Sequence, residues 1–192
     1  MFNRFLTLLK HCWFDESDSK RLIAHAVLER LAQRVAASEL RHSGEVRIVV
    51  EASLPLSYLW RHCIHRTSIA ELTRQRATMQ FGKLRVWDTE NNNGVLIYLL
   101  LAERKIELLA DRSVNAHVSE PEWSGMVQRM ARAFADSRFE DGLTQALEEV
   151  SAVLVKHFPA TADTDNPNEL PDGPLRLRPL LAHVRAAKAR SA

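Results

Sequence analysis

Two acidic, amide-rich stretches carry the residue types that could do chemistry. Asp88, Glu90 and Asn91 to Asn93 precede an apolar run, Val95 to Leu101, and Asp111 follows the next run, Ile106 to Ala110. Carboxylates and amide carbonyls are the hard oxygen donors that calcium and magnesium take. If the two runs pair as a hairpin, the start of one and the end of the other meet at one edge of a sheet. Asp88, Glu90, Asn91 and Asp111 would then converge on a divalent ion. Such an ion orients and polarises a phosphate ester or activates a water. Asp88 and Asp111 become the catalytic candidates, and Arg112 a phosphate binder. The same residues have a plainer use. Asp and Asn form turns through bonds to their own backbone, and Asp111 is equally placed to cap a helix. Glu140 and Asp141 are a second tier, since they open a helix whose dipole acids complement.

Other chemistry is thinly represented. His62, Cys63 and His65 form a compact cluster, but no further pair at zinc spacing accompanies it. The sequence has no G-x-S-x-G, Walker A or G-x-G-x-x-G pattern, so a nucleophile elbow is not visible and no organic cofactor is expected. Whether the chain is an enzyme stays open. Arg61, Arg66, Arg74 and Arg76 make one helical stretch basic. A solvated face is the expected use, because Glu71 lies among them and the aromatic interleaving of a single-strand binder is missing.

The elements that must position these residues follow from pattern. The chain has 192 residues, 46% hydrophobic and 26% charged, the balance of a globular domain. Lys and Arg number 26 against 24 acids, a net +2, so no global field points to nucleic acid. Two cysteines are too few for a disulfide framework. Apolar spacing at Ile23, Val27, Leu31 and Val35 predicts a helix over 17–41. Glu45 to Glu51 is β-branched and bounded by Gly44 and Pro55, a strand. Leu56 to Cys63 is a short helix, and Ser68 with Glu71 caps another. Leu84, Val86 and Trp87 alternate weakly like a strand. Val95 to Leu101 reads as a strand buried on both faces, with Ile106 to Ala110 antiparallel beside it. Ser119 with Glu122 and Ser137 with Glu140 cap two closing helices, the last ended by Phe158-Pro159. The fold class is α/β: a three-layer α/β/α sandwich with a small mixed sheet of three to five strands flanked by helices.

Residues 16–159 form the domain in this reading, with a short amphipathic segment, 1–15, before it and an extended tail, 160–192, after it. Phe2, Leu6, Leu9 and Trp13 fall at helical spacing with Arg4 and Lys10 nearby. This helix either packs on the domain or lies at a membrane interface. The first residues lack the apolar core and cleavage site of a secretory signal, and the longest apolar run is far short of the roughly 20 residues of a spanning helix. A cytoplasmic location is expected, peripheral at the membrane if the N-terminal helix is interfacial. Five of the seven prolines lie between Pro159 and Pro179, and the end of the chain is basic.

Three segments together resemble the TPM domain family, in a small bacterial branch without a signal peptide. They are WDTENNNGVLIY from Trp87, IELLADRSV from Ile106, and Trp123 followed by FEDGL from Phe139 and HFP from His157. The stretch DNPNELPD from Asp165 resembles that branch's tail. The resemblance implies an α/β/α sandwich and a mostly helical Arg66 to Trp87. Family members include a plant thylakoid acid phosphatase and an auxiliary protein of a nematode receptor channel, and some bind calcium at an acidic cluster. Many are encoded beside LemA-type membrane proteins, which implies a membrane-associated partner. Three functions stay open: a divalent-metal-binding interaction module, which fits the acidic turns and the missing catalytic motif; a metal-dependent phosphoric monoester hydrolase, which the resemblance implies; and a non-catalytic assembly protein whose acids only form turns.

Overall fold

The computed structural model describes residues 2–14, 16–161 and 168–177. Three helices open the chain: α1 (Phe2–Trp13), α2 (Glu16–Leu22) and α3 (His25–Glu39). The single helix expected over 17–41 is thus two. Ile23 breaks it: its N–H closes the turn onto the Ser19 carbonyl at 3.0 Å, Ala24 turns extended, and the Ile23 side chain is fully buried.

Strand β1 (Val46–Glu51) follows, then α4 (Leu56–Ile64) and α5 (Ile69–Lys83). The Ser68 hydroxyl accepts the Glu71 N–H at 3.1 Å, so this cap forms as expected. Helix α5 runs to Lys83, and the weak alternation of Leu84, Val86 and Trp87 is a turn, not a strand. Next come β2 (Val95–Leu100), a single 3-10 turn, β3 (Lys105–Ala110), the one-turn helix α6 (Arg112–Asn115), α7 (Glu120–Ala135), α8 (Phe139–His157) and β4 (Leu175–Leu177). The capping pair expected at Ser137 and Glu140 does not form. Ser137 is left-handed (φ 61°), Arg138 holds the cap position, and Glu140 is drawn to Arg30.

The sheet order is β3-β2-β1-β4. β1 is parallel to β2 and to β4, and β2 is antiparallel to β3 with Val95 opposite Ala110. The parallel β1–β2 pair needs a crossover, and α4 with α5 supplies it. On one face α3, α7 and α8 bring Leu31, Val35, Phe134, Leu147 and Val150 onto Ile48, Val50, Ile97 and Leu99. On the other, Leu59 of α4 and Leu72 and Ala77 of α5 cover Val49, Leu96, Tyr98 and Leu100. The architecture is the expected three-layer sandwich. β2 is buried at all six positions, which is why its sequence is continuously apolar.

The second face holds a charged group that the sequence placed in solvent. The Arg76 guanidinium grips Glu51 through Nη2 at 2.6 Å and Nε at 2.8 Å, and the buried Tyr98 hydroxyl donates to the same carboxylate at 2.6 Å. Burial raises the Tyr98 hydroxyl well above its ordinary value. The basic stretch is therefore split, with Arg76 enclosed and Arg66 outside.

The tail returns to the sheet. Leu170 is buried, its N–H donates to Glu45 at 3.0 Å, and Arg47 donates to the carbonyls of Pro171 and Gly173, the latter at 2.7 Å. These contacts seat β4 on the outer edge of β1, so the packed unit extends past residue 159. The basic residues beyond 177 lie outside the described residues.

Helix α1 packs beside α4 with Leu8 and His11 turned inward. His11 is fully buried, accepts the Leu54 N–H at 3.2 Å and meets Glu103 at 3.1 Å. The apolar stripe does not seek the core: Leu6, Leu9 and Trp13 are exposed, as is Phe5. No helix among the described residues is long and apolar enough to cross a membrane.

Candidate functional site

The loop before β2 is built by close contact. A Cβ added to Gly94 would lie 2.0 Å from the Val86 carbonyl oxygen, so only glycine lets the strand begin there. Arg85 and Asn92 bend the chain through left-handed backbone at φ 57° and 50°. Asn tolerates that conformation better than most residues. Asn93 is fully buried. Its N–H donates to the Thr89 hydroxyl at 3.1 Å, and its amide nitrogen donates to the Ser43 carbonyl at 3.0 Å and hydroxyl at 3.3 Å, tying the loop to the entry of β1.

Asp111 sits at the same end of the hairpin. Its N–H donates to the Gly94 carbonyl at 2.9 Å, and its Oδ1 caps α6 by accepting the Arg112 N–H at 2.7 Å. Its Oδ2 is buried without a hydrogen-bond partner among the described residues, and so is the Asn93 side-chain oxygen. Two buried acceptors at one sheet end are notable, since most buried polar atoms are paired. Carboxylate and amide oxygens are of the chemical type that a hard cation takes.

The remaining expected ligands are not gathered into one cluster with Asp111 among the described residues. Asp88 pairs with Arg85 three residues before it. The Glu90 N–H donates to both oxygens of Glu169, at 3.1 and 3.0 Å, while Asn91 is exposed. Arg112 donates through Nε (3.1 Å) and Nη2 (2.6 Å) to the Asn92 side-chain oxygen, which occupies the guanidinium expected to hold a phosphate. Glu140 forms a two-point pair with Arg30, both bonds 2.7 Å, which holds its carboxyl below the usual carboxylate range. Asp141 meets Arg138 at 3.3 Å. Both acids open α8, whereas Leu154 near its other end packs against Gly44 beside Asn93. The 14 residues from Glu140 to Leu154 span about 21 Å of helix, so this second tier does not join the first. Among the described residues no group of three or more His, Cys, Asp or Glu side chains is placed to hold a metal.

Buried polar groups at this end went unseen in the sequence. The Glu39 carboxylate accepts the Val46 N–H at 2.9 Å, and burial pushes its pKa up to about 8. Burial also raises Glu45. His42, bonded through Nδ1 to the Gly44 carbonyl at 2.9 Å, is lowered by burial to about 4. Only the run RHSGE before β1 hinted at them, because polar residues rarely enter a strand this buried.

A separate groove of about 640 Å³ runs along the outer edge of β3 between α5 and α7, floored by Phe81, Leu109, Trp123 and Val127. Arg74 spans it, donating to the Leu108 carbonyl at 2.9 Å and to Glu107 at 3.3 Å. Burial raises the Glu107 carboxyl. None of the expected ligands lines this groove.

Comparison with known proteins agrees with the architecture. The family model of the TPM domain matches residues 17–153. A comparison with curated proteins finds no match. Among solved structures, the chain is similar to the NMR structure of the BA42 protein from the psychrophilic bacterium Bizionia argentinensis, with 23% identity and a TM-score of 0.65 over 80% of this chain and 94% of that one. At that identity the likeness is one of fold. The family match spans every element from α2 to the later turns of α8, and the chain belongs to the TPM domain family.

Proposed function

We propose that this protein is a binding module that takes a divalent cation, calcium or magnesium, at the β2–β3 end and works in the cytoplasm at a membrane surface, beside a membrane-associated partner such as a LemA-type protein. One observation carries the cation reading: Asp111 Oδ2 and the Asn93 side-chain oxygen are both buried at that end without a hydrogen-bond partner among the described residues. Two protein oxygens leave most of the shell to water, which magnesium in particular keeps readily. The membrane reading is supported by the outward apolar stripe of α1. The phosphatase reading has less support, because Arg112 is bonded to Asn92 and Asp88 to Arg85.

The test is a thermal melt of metal-stripped protein titrated with calcium and magnesium, on wild type and on Asp111→Asn. Asparagine keeps the oxygen that caps α6 and removes the charge. A ligand in hundredfold excess over its Kd adds about 2.7 kcal/mol of stability, read as a raised midpoint. A rise that disappears in Asp111→Asn supports the site. No rise with either ion overturns it, and ordered water then satisfies the two oxygens.

A further inference from the structure

We infer that the exposed face built by α1 and α4 is a docking surface for an anionic lipid bilayer. This rests on the membrane-surface reading above and adds a second helix and a lipid charge to it. Nine large apolar side chains stand exposed among the described residues, and seven of them lie on these two helices. Phe5, Leu6, Leu9 and Trp13 line α1; Leu56, Trp60 and Ile64 line α4 at four-residue spacing, one stripe along one side. The stripes meet. Phe5 and Ile64 border a shared groove of about 520 Å³ together with Cys63, Arg4 and Arg66. Soluble monomers rarely expose contiguous apolar patches beyond a few hundred Å².

The charges choose the occupant. The chain has 24 acidic residues, and none of them falls in residues 1–14 or 52–70, the two stretches that carry this face. Those stretches hold Arg4, Lys10, Arg61 and Arg66, with His62 and His65 beside them. Glu103 approaches α1 from the domain side and is taken by His11 at 3.1 Å and Lys10 at 3.3 Å. Arg61 reaches inward to Gln75 at 2.6 Å, so Arg4 and Arg66 supply the basic rim of the groove. Tryptophan and phenylalanine with arginine at their margin match the interface of an anionic membrane, where rings sit at headgroup level and basic side chains meet phosphate. A basic rim of this kind has no use against a neutral apolar partner. Helix α1 is pinned by buried His11, and Leu59 anchors α4 in the core, so the face is presented rigidly.

The experiment is flotation of the full chain with phosphatidylcholine vesicles, with and without phosphatidylglycerol. The α1 variant is Leu9→Ser with Trp13→Ser, the α4 variant Trp60→Ser with Ile64→Ser, and the rim variant Arg4→Glu with Arg66→Glu. Wild type should float with anionic vesicles and much less with neutral ones. Each double variant should lose at least about tenfold in partitioning while keeping its circular dichroism. Equal flotation with neutral lipid overturns the charge assignment. Loss confined to the α1 variant overturns the two-helix surface and leaves the membrane reading standing. Failure of wild type to float overturns both. If light scattering then shows a dimer that Trp60→Ser dissolves, the face belongs to a second copy of the chain.

Discussion

The polar end of the sheet and the face of α1 and α4 both invert the usual arrangement, in opposite senses. At the sheet end, Glu39, His42, Glu45 and Asn93 are polar and buried. On the helices, Trp13, Trp60 and Ile64 are apolar and exposed. The buried polar groups are mostly answered from within the chain: Glu39 by Val46, Glu45 by Leu170, Asn93 by Ser43. The exposed apolar groups are covered by nothing among the described residues. An inversion that the chain completes itself serves the fold, and one that it leaves open marks where something else must arrive. Asp111 Oδ2 and the Asn93 oxygen are the open remainder of the first region.

Three measurements test this contrast. The largest effect belongs to Gly94→Ala. The new methyl meets the Val86 carbonyl at 2.0 Å, inside contact distance, and the loop that seats Asn93 must shift. Urea unfolding should show a loss of about 3 kcal/mol. A loss below 1 kcal/mol would mean that the loop is loosely held and the sheet end not self-completed.

Second comes pH. Glu39 has a folded pKa of about 8 against an ordinary 4.5, so its contribution to stability is full below pH 4.5 and falls as pH rises through 8. His42 has a folded pKa of about 4 against 6.5, so its contribution is full above pH 6.5 and falls as pH drops through 4. The two slopes oppose each other between 4.5 and 6.5 and leave a plateau there. Above it the Glu39 slope remains, on the order of 1 kcal/mol per pH unit, and Glu45 and Glu107, whose carboxyls burial also raises, act in the same direction. Glu39→Gln, which can still accept the Val46 N–H, should make the fall in stability between pH 6.5 and 8 clearly shallower in urea titrations. An unchanged alkaline slope would show that Glu39 is not the group responsible.

The smallest effect sharpens the comparison most. Trp60→Ser with Ile64→Ser removes two large apolar side chains, yet solution stability should change by no more than about 0.5 kcal/mol per site, as for exposed positions generally. A loss of several kcal/mol would place these side chains in the fold's own economy and remove the case for an external surface.

Much of the fold was legible because it rests on local pattern. β2 could be read from seven consecutive apolar residues, its pairing with β3 from the shortness of the turn, and α5 from Ser68 and Glu71. The break at Ile23 was not legible, since its apolar spacing continues through it. The return of the tail was not legible either. Leu175–Leu177 is too short for a period, and its docking depends on Glu45 and Arg47, far away in sequence. The spacing on α1 disclosed a stripe but not its direction, because one buried histidine decides which side faces in. At the candidate site, spacing correctly brought Asp111 to the start of β2. It could not foresee that Arg85 and Arg30 would engage Asp88 and Glu140, since such pairs depend on backbone turns and on distant helices.

The docking of β4 bears on how the chain is made. Arg47 and the Gly173 carbonyl that receives it are 126 residues apart. A ribosome adding roughly 5–20 residues per second leaves β1 without its outer neighbour for roughly 6–25 seconds. Throughout that interval an apolar strand shows an unpaired edge, the geometry that recruits strands from other chains. The late-arriving strap therefore acts as a closing latch on a nascent sheet, and truncation just before Leu170 should raise aggregation during synthesis more than it lowers the stability of molecules that escape it.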